Sequence, residues 1–301
     1  MDHVARAFYE LKFRLAFMEK KANEFQDFFS TIMEKVHPAD FIRVRPWGNV
    51  GDRKNDGYLK SERTLFQVYA PNEMKVADAI SKIDEDFNEA LPYWKEHFDK
   101  WVFVHNSAQG LGPDVTKKLL DLDKAHPLEV THWGREELSR KVFELDHPDL
   151  ASLLGPAPTR EDMLDLGLES LAPVLDQIAA MPAPASPDLR PPPADKIARN
   201  MLSPSVETLL KAGMTRADLV KDYFRIQPSK QDEIAESFRL RYEAARGDAF
   251  APDEIFTELQ RHAGGEAVPK AHRQSAVLAV LAFFFEECDI FERNDDDEGQ
   301  P

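Results

Sequence analysis

Apolar residues recur at intervals of three and four through the first 36 positions: Phe8, Leu11, Leu15 and Met18, then Phe25, Phe28, Phe29 and Ile32. That spacing predicts a helix over 2–36, ending near His37-Pro38. The pattern then shortens into strand-like runs, FIRVRPW (41–47), DGYLK (56–60) and TLFQVYA (64–70). Asp52, Asn55 and Gly57 supply turn chemistry between the first two, and Lys60–Arg63 forms a polar hairpin loop. Helical spacing returns over 73–99, where Pro92 is expected to open a second segment. WVFVHN (101–106) and LEVTHW (128–133) read as compact strands, followed by helices over 114–125 and 135–145. The order α-β-β-β-α-β-α-β-α is a mixed α/β layer in which a hairpin feeds parallel crossovers.

Beyond residue 150 the texture becomes all-helical. TREDMLDLGLESLAPVLDQIAAM (159–181) is helical, opened by Thr159 with Asp162 three residues on. The stretch 182–195 carries six prolines in fourteen residues, the composition of a semi-rigid linker. Thr215-x-x-Asp218 resembles a further cap, and Pro252 sits at a helix start. The last helix, 271–291, is apolar almost all round and so requires complete burial, by its own domain or by a partner, most simply in a homodimer. The expected organisation is an α/β domain (1–150), a connecting helix (151–181), the linker (182–195), a helical domain for dimerisation or partner docking (196–292) and a solvated, disordered acidic tail (293–301).

Composition narrows the function classes. The formal net charge is −16, so no global basic field advertises nucleic acid or anionic lipid. Residues 1–150 hold 22 Lys+Arg against 27 Asp+Glu, and the remainder 16 against 27, so a local phosphate-binding patch is better placed in the first half. One cysteine, Cys288, excludes an intrachain disulfide framework, and the nine histidines show no HxxxH or HExxH spacing. No signal-peptide core is visible at the start, and the longest apolar run (276–285) is ten residues against the roughly 20 of a bilayer span. The expectation is a cytoplasmic protein with no membrane partner.

The candidate chemistry lies in GDRKNDGYLKSERTLFQVYAP, from position 51. Its carboxylates are the hard oxygen ligands that Mg²⁺, a hard cation, takes. From the residues alone an ordinary hairpin stays open, with Asp56 as a turn residue, Gln67 as a satisfied amide and Tyr69 as a packing residue. The Gly51-Asp52…Asp56-Gly57 turn, the Phe66-Gln67-Val68-Tyr69 strand and the upstream Glu24-Phe25-Gln26-Asp27-Phe28-Phe29 helix resemble the Mrr-type branch of the restriction-endonuclease-like, PD-(D/E)XK, superfamily. The later strands and the 135–145 helix are similar to the rest of that core, so the resemblance covers roughly residues 15–146.

The resemblance implies a Mg²⁺-dependent DNA endonuclease with Asp56 and Gln67 as metal positions. The family's helix glutamate becomes Gln26 here, and its lysine becomes Tyr69, which is neutral near pH 7. Lys60 shares the strand face of Asp56 and is a candidate replacement, although it lies near the hairpin loop. Arg43 and Arg45, with Arg53 and Lys54 around Trp47, suit contact with a DNA phosphate backbone. Solvated strand-face arginines are the ordinary alternative.

A second resemblance concerns context. FQDFFSTIME, RPWGNVGDRKNDGYL and FQVYAP, together with AVLAVLAFFFEECDIFE, are similar to proteins of bacterial ABC-three-component systems. That implies a place beside an SMC-like ATPase and a small middle component in anti-phage defence. Two functions follow from the pair of resemblances. One is an effector that cuts or binds DNA. The other is a catalytically inactive nuclease-fold scaffold that dimerises and docks the ATPase.

Overall fold

A computed structural model describes residues 1–44, 53–179, 196–264, 271–287 and 290–291. The proline-rich stretch, Arg45, Trp47, Asp52, Cys288 and the acidic tail lie outside the described residues. The chain divides into two compact units, Phe13–Leu153 and Met1–Lys12 with Leu154–Pro301. The first twelve residues therefore group with the helical unit, which departs from the 1–150 boundary expected above.

In the α/β unit the predicted element order appears, with one break. The 2–36 helix is two helices, α1 (His3–Glu19) and α2 (Ala22–Val36). Glu19, Lys20 and Lys21 interrupt the apolar spacing, Ala22 adopts φ 44°, and its N–H donates to Ala70 O at 2.7 Å. The strands are β1 (Phe41–Arg43), β2 (Gly57–Leu59), β3 (Thr64–Tyr69), β4 (Lys100–His105) and β5 (Glu129–Trp133), in spatial order β1-β2-β3-β4-β5. β1, β2 and β3 pair antiparallel, whereas β3–β4 and β4–β5 pair parallel. The parallel crossovers run through α3 (Val76–Trp94) and α4 (Pro113–Ala125), and α5 (Arg135–Val142) and α6 (His147–Leu154) follow β5. Pro92 opens no second segment: it sits in the last turn of α3, where the helix is already ending.

Side-chain alternation along β3 separates two cores. Leu65 joins Ala79, Ile83 and Phe87 of α3, Trp101 and Phe103 of β4, and Val115 and Leu119 of α4. Phe66 turns the other way, with ring contacts to Phe29 of α2 (5.4 Å), Phe41 (6.2 Å) and Trp133 (5.0 Å). α2 touches α5 on that side, and α3 touches α4 on the other, so the unit is an α/β/α sandwich. Gly57 belongs to this packing, since a Cβ there would meet the Phe41 ring at 2.2 Å.

The helical unit also corrects several expected boundaries. The 159–181 segment is α7 (Arg160–Leu164) and α8 (Leu168–Ala179), with the Thr159–Asp162 capping box formed. α8 is not a mere connector: it packs on α14 (Ala271–Glu286) and α12 (Pro228–Gly247). The Thr215–Asp218 cap is absent; Thr215 Oγ1 donates to Ala212 O and ends α10 (Pro204–Met214), while Arg216 precedes α11 (Ala217–Ile226) without a side-chain cap. Likewise Gly112, not Asp114, is the N-cap residue of α4.

α14 is buried within its own unit, from Gln274 through Phe285, by α8, α10, α11 and α13 (Pro252–His262). Burial of this helix therefore gives no reason for a homodimer. Its end is set by Lys196 of α9 (Lys196–Arg199), a buried ammonium that donates to Phe285 O at 2.8 Å and Ile290 O at 2.6 Å. A cation at a helix C-terminus satisfies the last carbonyls and opposes the helix dipole.

α10 approaches α14 at Gly213, where an added Cβ would meet Leu278 O at 2.2 Å and Ala282 Cβ at 2.8 Å. Gly→Ala within a helix ordinarily gains up to about 1 kcal/mol in propensity. Here overpacking, at about 1–3 kcal/mol, outweighs it. Gly213→Ala is expected to lower the urea midpoint of the helical unit, and an unchanged or raised midpoint would contradict this packing.

Candidate functional site

The hairpin site is built by a turn whose backbone is forced left-handed. Arg53 and Lys54 have φ of 55° and 58°, and the Asn55 side chain closes the turn by accepting from Gly57 N at 3.0 Å. The next residue, Asp56, is buried at 4% exposure. Its N–H donates to Phe66 O at 2.9 Å, and its Oδ2 accepts from Val68 N at 2.6 Å. The carboxylate thus does for β3 what a strand carbonyl would do, beyond the last paired residue of β2. Its Oδ1 accepts from Gln26 Nε2 of α2.

The structure accordingly brings Gln26 and Asp56 together. Gln67 lies between Leu65 and Tyr69, both on the α3/α4 face, so alternation places it on that face too. Its Oε1 is buried and, among the described residues, has no hydrogen-bond partner. Tyr69 packs on Phe103 at 5.9 Å, and its hydroxyl pKa is raised, first by burial and then by the nearby Asp78 charge. Lys60 Nζ donates to Ala39 O at 2.7 Å, an engagement near the hairpin loop.

The basic residues have local partners. Arg43 pairs with Asp27 of α2, and the Arg53 guanidinium lies over the Tyr93 ring at 5.2 Å. Lys54 reaches α3, pairing with Glu85, Asp86 (3.3 Å) and Glu89 (3.8 Å). Burial opposes the charge on Lys54, but Glu85 and Asp86 more than offset it and hold the pKa above its ordinary value. Asp86 is fully buried; burial raises its pKa against the pull of Lys82 and Lys54. Pattern alone did not single out this acid, although an aspartate falling on the apolar face of α3 is the signal that marks it.

A Mg²⁺ site wants more oxygen ligands than this arrangement offers. Asp56 is one carboxylate with both oxygens accepting N–H bonds, Gln26 presents its amide N–H, and Gln67 and Tyr69 face the other layer. Among the described residues no group of three or more His, Cys, Asp or Glu could hold a metal ion.

At the C-terminal ends of β4 and β5, His105 Nε2 meets His132 Nδ1 at 3.3 Å. Nδ1 of His105 accepts from Ser107 N at 3.2 Å, so Nε2 carries its proton. Burial, then the neighbouring His132, pushes the His105 pKa down to about 4. The SAQGLGP loop beside it is closed by Ser107 Oγ donating to Gly110 O at 2.6 Å.

Residues 169–292 match a family model described as C-terminal domain 10 of the ABC-three component (ABC-3C) systems. The helical C-terminal region is a domain of these systems. The ABC-3C match begins at the start of α8, in agreement with the packing of that helix on α14. No curated protein and no solved structure matches the chain. Among the described residues no helix is long and apolar enough to cross a membrane.

Two outcomes follow from this geometry. Asp56→Ala removes the acceptor of the partly buried Val68 and Gln26 donors and is expected to cost about 1 kcal/mol, whereas Asp56→Asn keeps an acceptor for Val68 and costs less. Equal urea midpoints for the two variants would contradict the assignment. The His105 pKa lies below its unfolded value of 6.5, so its stabilisation is full above pH 6.5 and is lost as pH falls towards 4. Between pH 7.5 and 5 the loss should be about 2 kcal/mol and should vanish in His105→Gln, measured by urea denaturation at both pH values.

Proposed function

We propose that the chain is a component of a bacterial ABC-three-component defence system whose α/β unit is a restriction-endonuclease-like domain kept for binding rather than cleavage. The helical unit then serves as the docking module for the SMC-like ATPase and the small middle component, in the cytoplasm. The family match in the helical region supports the first half of this reading. The α-β-β-β-α-β-α-β-α order and the mixed sheet support the nuclease ancestry.

The observation that carries the loss of cleavage is the engagement of Asp56. Cleaving a phosphodiester with Mg²⁺ needs carboxylate oxygens open to the ion and a fixed positive charge near phosphorus. Here both oxygens of the one carboxylate accept amide protons, and Gln26 replaces the second acid. The residue in the lysine position, Tyr69, is held neutral and packed on Phe103. DNA contact through Arg43 and Arg53 remains part of the proposal as backbone recognition, with each guanidinium released from its present partner.

One observation favours the effector reading: the buried Gln67 Oε1 has no partner among the described residues, and a carbonyl oxygen is a ligand that Mg²⁺ accepts. A cleavage assay separates the two. Full-length protein and Asp56→Asn are incubated with supercoiled plasmid and Mg²⁺ or Mn²⁺, alone and with co-purified ATPase and middle component. The proposal expects intact plasmid in every lane. Metal-dependent nicking by the wild type that Asp56→Asn removes would overturn it in favour of the effector.

A further inference from the structure

The helical unit contains a cavity of about 320 Å³ formed by the start of α1, by α7 and by α10. Its floor is apolar and buried, made by Val4, Met163 and Ala212. Leu164 lines it while 52% exposed, an unusual position for a leucine with a core nearby. Small-molecule sites have this form, with volumes of about 300–1,000 Å³, mostly apolar walls and a few convergent polar groups.

The polar groups at the mouth are unevenly compensated. Lys211 is paired with Glu207 at 2.6 Å. Asp2 accepts main-chain N–H bonds from Val4 (2.8 Å), Ala5 (3.0 Å) and Arg160 (3.2 Å). The Arg160 guanidinium, in contrast, makes no hydrogen bond or ion pair among the described residues. An apolar hollow with one uncompensated guanidinium selects for an apolar body that ends in an anion. A planar carboxylate matches the guanidinium fork best, through two parallel N–H···O bonds.

We propose that this cavity is a binding site for a small amphiphilic carboxylate, with its hydrocarbon part on Val4, Met163 and Ala212 and its carboxylate on Arg160. The site stands apart from the hairpin, so it does not depend on whether the α/β unit cleaves DNA. Binding here would tie α7 and α10 together and give the docking module a chemical input.

Titration calorimetry of the full chain with octanoate, kept below its micelle-forming concentration, tests this. The expected result is saturable one-to-one binding, with 1-octanol and octylammonium weaker by about tenfold or more. Arg160→Gln should reduce octanoate affinity by about tenfold and leave 1-octanol unchanged. Thr208→Trp, which fills the mouth from α10, should abolish both, with thermal melts confirming that each variant is folded. Absence of saturable binding by the wild type would overturn the site. Octanoate affinity unchanged in Arg160→Gln would overturn its anionic preference, and binding retained in Thr208→Trp would overturn its location.

Discussion

A single buried carboxylate connects three parts of the α/β unit. Asp56 takes the Val68 amide proton on one oxygen and the Gln26 amide on the other, while its own N–H donates to Phe66 O. β2 is only three residues long, so its hold on β3 depends on this extension of the ladder. The same contact ties α2 to the sheet beside the phenylalanine cluster of Phe29, Phe41 and Phe66. A carboxylate committed in this way satisfies two partly buried donors, each hydrogen bond contributing about 1 kcal/mol. The arrangement gives the acid a structural role, with Gln26 as its partner on α2.

The element order was legible from periodicity because most elements have a long apolar face with one period. β4 is a continuous run buried on both faces, β5 is a partly buried edge strand, and α3 and α4 carry the spacing that covers one side of the sheet. The misreadings came where long-range contacts override local pattern. The break between α1 and α2 is fixed by a hydrogen bond from Ala22 to Ala70, 48 positions away in sequence, which no window can register. Thr215 does not cap α11 because it ends α10 with αR backbone and Arg216 takes the N-cap position. Pro92 does not divide α3, although it removes one hydrogen bond from the last turn of the helix.

The site was legible as a place but not as a set of contacts. The sequence reading puts Asp56 and Gln67 over one pocket and the resemblance adds Gln26, but Asp56 precedes β2 and meets Gln26, whereas Gln67 lies on the α3/α4 face. The sequence could not show that the carboxylate would turn to the Val68 amide, nor that Tyr69 would join the Phe103 side of the sheet. The Lys54–Asp86 pair was hidden because an acid facing a core is recognisable only when the helix face is known. In the helical unit the apolar run of α14 announced a buried helix, and its own neighbours bury it. The Lys196 ammonium on its last carbonyls is a contact across 89 positions that composition does not reveal.

In the proposed binding-only reading, Asp56 Oδ2 stays with the Val68 amide and is not offered to a metal ion. The decisive measurement is amide hydrogen exchange at Val68, followed in the full chain with and without Mg²⁺. Slow exchange is expected, close to that of the β3–β4 core, with the same rate when Mg²⁺ is added. Fast exchange at Val68, or a rate that Mg²⁺ changes, would contradict it and return Asp56 to the role of a metal ligand.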